Sequence, residues 1–140
     1  MADPLQRLGR HKAHVEADLV LGVFQGPIAL DELRAFHEVL AEVLNRHGRC
    51  FVLVHSTAVT GTMGPELRRF IAEWNRGHRV HGAAVINESP LIRGAMSLIV
   101  AAIRLFRKDE LPMQTFADEA SARLWIDGLW QQLLRGASAR

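Results

Sequence analysis

The segment Cys50-Phe-Val-Leu-Val54 constrains this chain more than any other. Five consecutive apolar residues with no alternation are too few for a helix, and they read as a strand covered on both faces. A strand of that kind belongs to a parallel sheet with helices packed above and below. The flanking pattern agrees. On the amino side, Leu30, Leu33, His37, Leu40, Leu44 and His47 recur at steps of three and four, with Phe36, Val39 and Val43 widening the stripe, which predicts an amphipathic helix. Asp31 and Glu32 suit its positive end, and Gly48 is placed to close it in the left-handed region. On the carboxyl side, the polar loop His55 to Gly64 leads to Pro65, a favoured first-turn residue. Leu67, Phe70, Ile71 and Trp74 then give a second helix its inward side, and Gly77 ends it.

The same reading extends to both ends. His11–Glu16 and Leu19–Phe24 predict an antiparallel hairpin turning at Ala17-Asp18. Val80 to Ile86 is a further apolar strand, and Ser89-Pro90 predicts the start of a helix. Leu91 to Phe106 is apolar almost all round, interrupted by Arg93, Ser97 and Arg104, so it requires cover on more than one side. Met113 to Phe116 is a short strand, and Asp118 caps a last helix reaching about Leu134, with Leu124, Trp125, Leu129 and Leu133 inward. The expected fold is a single α/β domain with a mostly parallel five-stranded sheet, its first strand antiparallel, and four flanking helices. Residues 1–10 are expected to be a flexible lead and 135–140 a flexible tail, on either side of a domain spanning 11–134.

Composition narrows the functional classes. One hundred and forty residues suit one domain, 49% apolar and 23% charged residues are ordinary globular usage, and 17 basic against 15 acidic residues is too even for a nucleic-acid binder. One cysteine excludes a disulfide framework within the chain. The opening residues lack the apolar core of a signal peptide, and no stretch reaches the roughly 18 apolar residues of a membrane span. These features set the expectation of a cytoplasmic protein with no membrane span.

Candidate chemistry is sparse. His55 ends a central strand, and ligands of open parallel sheets lie beyond such ends, so His55, Ser56 and Thr57 are candidate contacts for a ligand or partner. No carboxylate within Ser56 to Gly64 could orient His55 for catalysis. Cys50 reads as a small buried hydrophobe, and the pairs His11/His14 and His78/His81 lack a companion set of metal ligands. Arg68, Arg69, Arg76 and Arg79 form a basic stretch in which Glu66 and Glu73 are interleaved, and Arg69 stands four residues from Glu73, the spacing of a self-paired helix face. No motif of a nucleotide site, zinc protease or nucleophile elbow occurs. The sequence therefore predicts no metal, no cofactor and no enzyme. Within Leu91 to Phe106, Ile92, Met96, Ile99 and Ile103 are candidate contacts for whatever covers the helix: a neighbouring helix, a second copy of the chain, or an apolar ligand.

The stretch Phe116-x-Asp118-Glu119-x-x-Ala122-x-x-Trp125-Ile126 resembles the closing signature of SpoIIAA-like proteins, relatives of the STAS anti-sigma-factor antagonists that are also similar to CRAL-TRIO lipid carriers. The order of elements agrees from His11 to about Leu134. The resemblance implies a regulatory or scaffold module that binds another protein, and together with the apolar Leu91–Phe106 helix it sets the expectation of a homodimer; the alternative is a carrier or sensor of a small apolar or lipid ligand held between the sheet and that helix. It also implies a phosphoacceptor before the second helix, where the family has a serine. This chain has Thr60-Gly-Thr62-Met-Gly64-Pro65 there, so Thr60 and Thr62 are the nearest hydroxyls, and His55 stands where the family often has an aspartate.

Overall fold

The computed structural model describes residues 5–8, 11–25, 28–56, 65–87, 94 and 112–138. Six strands and three helices lie among them: β1 (Leu5–Leu8), β2 (His11–Glu16), β3 (Leu19–Phe24), α1 (Leu30–His47), β4 (Phe51–Ser56), α2 (Pro65–Gly77), β5 (Gly82–Ile86), β6 (Met113–Phe116) and α3 (Glu119–Ser138). The strands form one sheet in chain order, β1-β2-β3-β4-β5-β6. The first two pairings are antiparallel and the remaining three parallel. The α/β class and mixed sheet follow the sequence-based expectation, with two corrections. The sheet has six strands rather than five, because Leu5–Leu8 pairs with β2 in the register Leu5↔His14 to Leu8↔His11. Three helices are described rather than four; the expected helix Leu91 to Phe106 falls outside the described residues, save that Gly94 is helical.

Each element has a local cause. Between β2 and β3 the chain reverses at Ala17, whose φ of 54° is left-handed. Glu32 accepts the Ala29 N–H at 2.8 Å at the start of α1, which is the half of a capping box that does not need a side-chain oxygen on the cap residue. Gly48, with φ 75°, ends the same helix and donates its N–H to the Leu44 carbonyl. Asp118 accepts the Ser121 N–H at 2.8 Å and opens α3, and that hydrogen bond holds its carboxyl below the usual carboxylate range.

The sheet separates two cores. On one side α1 and α2 cover Ala13, Val20, Val52 and Val80 with Phe36, Val39, Leu40 and Val43. On the other, α3 covers Phe51, Leu53, Ala84 and Ile86 with Ala122 and Ile126. The alternation along β4, Val52 to one face and Phe51 and Leu53 to the other, is that of a strand buried on both sides. Gly82 makes the close approach of α3 possible, since a Cβ there would stand 2.6 Å from the Leu129 side chain.

Helix α3 presents its expected inward face only in part. Ala122 and Ile126 are the buried residues, Trp125 and Leu129 are half-buried against the core, and Leu124 is 73% exposed with Leu133 also on the outside. Apolar residues occur on every side of this helix, so their spacing alone left its inward face undetermined. His47, aligned with the apolar stripe of α1, is likewise exposed.

Candidate functional site

The carboxyl ends of β3, β4 and β5 lie along one edge of the sheet, and because β2 is antiparallel its first residue, His11, joins them. His55 and Ser56 end β4 at the middle of this edge, in register with Val23 and Phe24 of β3, and His55 also with Ile86 of β5. His55 follows Leu53 by two residues, which puts it on the α3 side of the sheet. It is half-buried, and no hydrogen bond joins its ring to another described residue. Of the other sequence-predicted site residues, Thr57, Thr60, Thr62, Ile92, Met96, Ile99 and Ile103 lie outside the described residues. At the end of β5, Asn87 is buried, and its N–H donates to the Phe116 carbonyl at 2.9 Å.

Sequence reasoning missed a second histidine at this edge. His11 is fully buried; its Nδ1 accepts the Gln25 N–H at 3.0 Å, and its ring packs edge-on against Phe24. Nε2 lies 3.5 Å from Glu32 Oε1 and makes no hydrogen bond. With Nδ1 acting as an acceptor, a neutral ring carries its proton on Nε2, the nitrogen nearer the carboxylate that also holds the first turn of α1. Twenty-one positions separate His11 from Glu32, and only the hairpin brings them together. His11 packs on Phe24, which packs on Phe36 of α1, whereas His55 is on the α3 side. The two histidines are thus divided by the sheet and do not form one acid–base pair.

The opposite edge is bound by polar contacts. Asp18, in the hairpin turn, accepts Arg49 Nε at 2.7 Å and Trp130 Nε1 at 3.0 Å, and its carbonyl takes the Phe51 N–H. The Arg49 guanidinium also lies 5.6 Å from the centre of the Trp130 ring. Cys50 is buried beside these groups; burial, and secondly the Asp18 carboxylate, pushes its thiol up to about 12. It donates to the Phe51 carbonyl and is no nucleophile near neutral pH. His81 Nδ1 accepts the Cys50 N–H at 3.3 Å, and burial, then Arg79 and Arg49, hold its pKa down, with Asp18 opposing.

Between α1 and α2, the buried His37 ring faces Phe70 and Trp74. The basic residues Arg68, Arg69, Arg76 and Arg79 are exposed, and among the described residues no ion pair joins Arg69 to Glu73. Also among the described residues, no group of three or more His, Cys, Asp or Glu is placed to hold a metal, and no helix is long and apolar enough to cross a membrane.

A family model described as SpoIIAA-like matches residues 22–127, more than half of the chain. The match runs from within β3 into α3 and includes the Phe116 to Ile126 stretch, in which the Phe116 and Trp125 rings stand 5.6 Å apart and Ala122 is fully buried. Neither the comparison with curated proteins nor that with solved structures returns a match.

Proposed function

The chain belongs to the SpoIIAA-like family, and from that membership we propose a non-catalytic regulatory or scaffold module that works in the cytoplasm by binding another protein. The observation that carries this reading is the strand order. Small-molecule sites of open α/β sheets form where that order reverses and two connections part to leave a crevice. Here the six strands follow one another without reversal. The carboxyl edge, with His55 and Ser56 at its centre, then serves as a surface for a partner rather than a cleft for a metabolite. Separation of His11 and His55 by the sheet further favours binding over acid–base chemistry.

Within this reading, Thr60 and Thr62 are the hydroxyls assigned to a phosphoryl switch, because a helix start such as that of α2 favours added negative charge. Ile92, Met96, Ile99 and Ile103 supply the contact surface of a homodimer. Light scattering on the eluting protein at micromolar concentration should give twice the chain mass of 15.6 kDa; monomer alone overturns the dimer. Native mass spectrometry of freshly purified protein should show protein mass only. Reproducible extra mass that disappears on organic extraction would replace this reading by that of an apolar-ligand carrier.

A further inference from the structure

Among the described residues, helix α2 has little hold on the rest of the molecule. Its one buried residue, Asn75, spends its side-chain N–H on the Ile71 carbonyl of its own helix. Docking therefore relies on the half-buried Leu67, Phe70, Ile71 and Trp74. Phe70 and Trp74 close on the His37 ring of α1, with ring centres 5.1 and 4.8 Å away and both contacts near perpendicular. Phe36 packs against the same ring at 5.9 Å. Nδ1–H of His37 donates to the Leu33 carbonyl at 2.9 Å, so in the neutral ring Nε2 keeps its lone pair.

We propose that His37 is a proton-operated latch between the two helices: neutral, it holds α2 against α1, and protonated, it lets α2 loosen. The groups around the ring supply the reason. From α1 come the Leu33 carbonyl, already used by Nδ1, and the Arg34 guanidinium, 5.8 Å from the centre of the Phe70 ring. From α2 come Phe70, Trp74 and His78, the last stacked on Trp74 at 4.1 Å with an interplanar angle of 6° and tied to the Trp74 carbonyl. Among the described residues the charged or titratable neighbours are thus Arg34, beside Phe70, and His78, both cationic when protonated, and no carboxylate among them acts on His37.

Burial, the largest effect, and His78 repulsion hold the His37 pKa below its usual value against the opposing Leu33 hydrogen bond. The docked state consequently refuses a proton that the loosened state accepts at about pH 6.5. Docking is strongest above that pH and weakens as pH falls through it. Helix α2 comes next in the chain after His55 and Ser56, so its release alters the surface beside the carboxyl edge. The latch rests on α1–α2 packing alone and is independent of which partner binds.

Hydrogen exchange of the full chain, read by mass spectrometry and corrected for intrinsic rates, tests the latch. From pH 7.5 to 5.0, protection of 65–77 should fall by about threefold or more relative to 119–134, the signature of easier local opening. His37→Phe should remove that difference, and His78→Gln should keep it. Equal protection at both pH values, a drop that persists in folded His37→Phe, or one abolished by His78→Gln overturns the proposal. Should His37→Phe not fold, ring-nitrogen NMR of the wild-type chain decides. Titration of His37 below about 6.5, followed by the α2 amide signals, supports the latch, whereas titration at or above that value refutes it.

Discussion

The two edges of the sheet are built in contrasting ways. At the amino edge, one carboxylate, Asp18, joins the β2–β3 turn, the residue before Cys50 and the last helix through Arg49 and Trp130. At the carboxyl edge, His11 Nε2 makes no hydrogen bond, and His55 bonds to no other described residue. The contrast divides the labour: one edge ties three segments of the fold together, whereas at the other His11 is sealed inside and the half-buried His55 ring is joined by a hydrogen bond to no other described residue.

The largest effect is expected where the amino edge meets the core. Phe51 opens β4 and is 1% exposed, so Phe51→Ala should cost about 3 to 5 kcal/mol by denaturant unfolding. A smaller value would mean that α3 collapses into the space. Asp18→Ala comes next, at about 1 to 3 kcal/mol, because it deprives Arg49 and the Trp130 N–H of their shared acceptor. Asp18→Asn should recover part of the loss through the retained oxygen. At the carboxyl edge, His55→Ala should change stability by no more than about 0.5 kcal/mol. A loss as large as that of Asp18→Ala would erase the distinction between the edges.

The effect of pH sharpens the same contrast. His37 and His81 both have lowered values in the folded chain, so unfolding takes up protons as each returns to about 6.5. Their stabilising contribution is complete above that pH and diminishes as pH falls through it. Melting temperature should therefore drop between pH 7.5 and 5.0, and His37→Phe should flatten part of the slope. Least visible of all, Cys50 should resist thiol reagents at pH 8 until the chain is unfolded, since its thiol stays protonated and buried.

Much of the architecture was legible because its signals are local. Five unbroken apolar residues marked β4, Gly48 and Pro65 marked helix ends, and Asp118 marked a cap. Strand β1 was not legible: Leu-Gln-Arg-Leu carries no pattern of its own, and its strand character depends on pairing with β2. The inward face of α3 was legible in part: Trp125 and Leu129 pack on the core as expected, whereas Leu124 and Leu133 lie outside because Ile126 offers a competing apolar side. The site divides likewise. His55 was found from its position after an apolar strand, whereas the pairing of His11 with Glu32 and of His37 with Trp74 depends on tertiary contacts that no short window contains.

Strand order also bears on how the chain reaches its native state. Each parallel pairing, such as Val20 with Val52, Leu53 with Ala84 and Val85 with Thr115, joins residues about thirty positions apart, so three closures of similar entropic cost succeed one another. No distant segment must wait to be inserted between strands already paired. Assembly can thus proceed by lateral growth from the Ala17 hairpin, with every newly formed ribbon serving as the template for the following one.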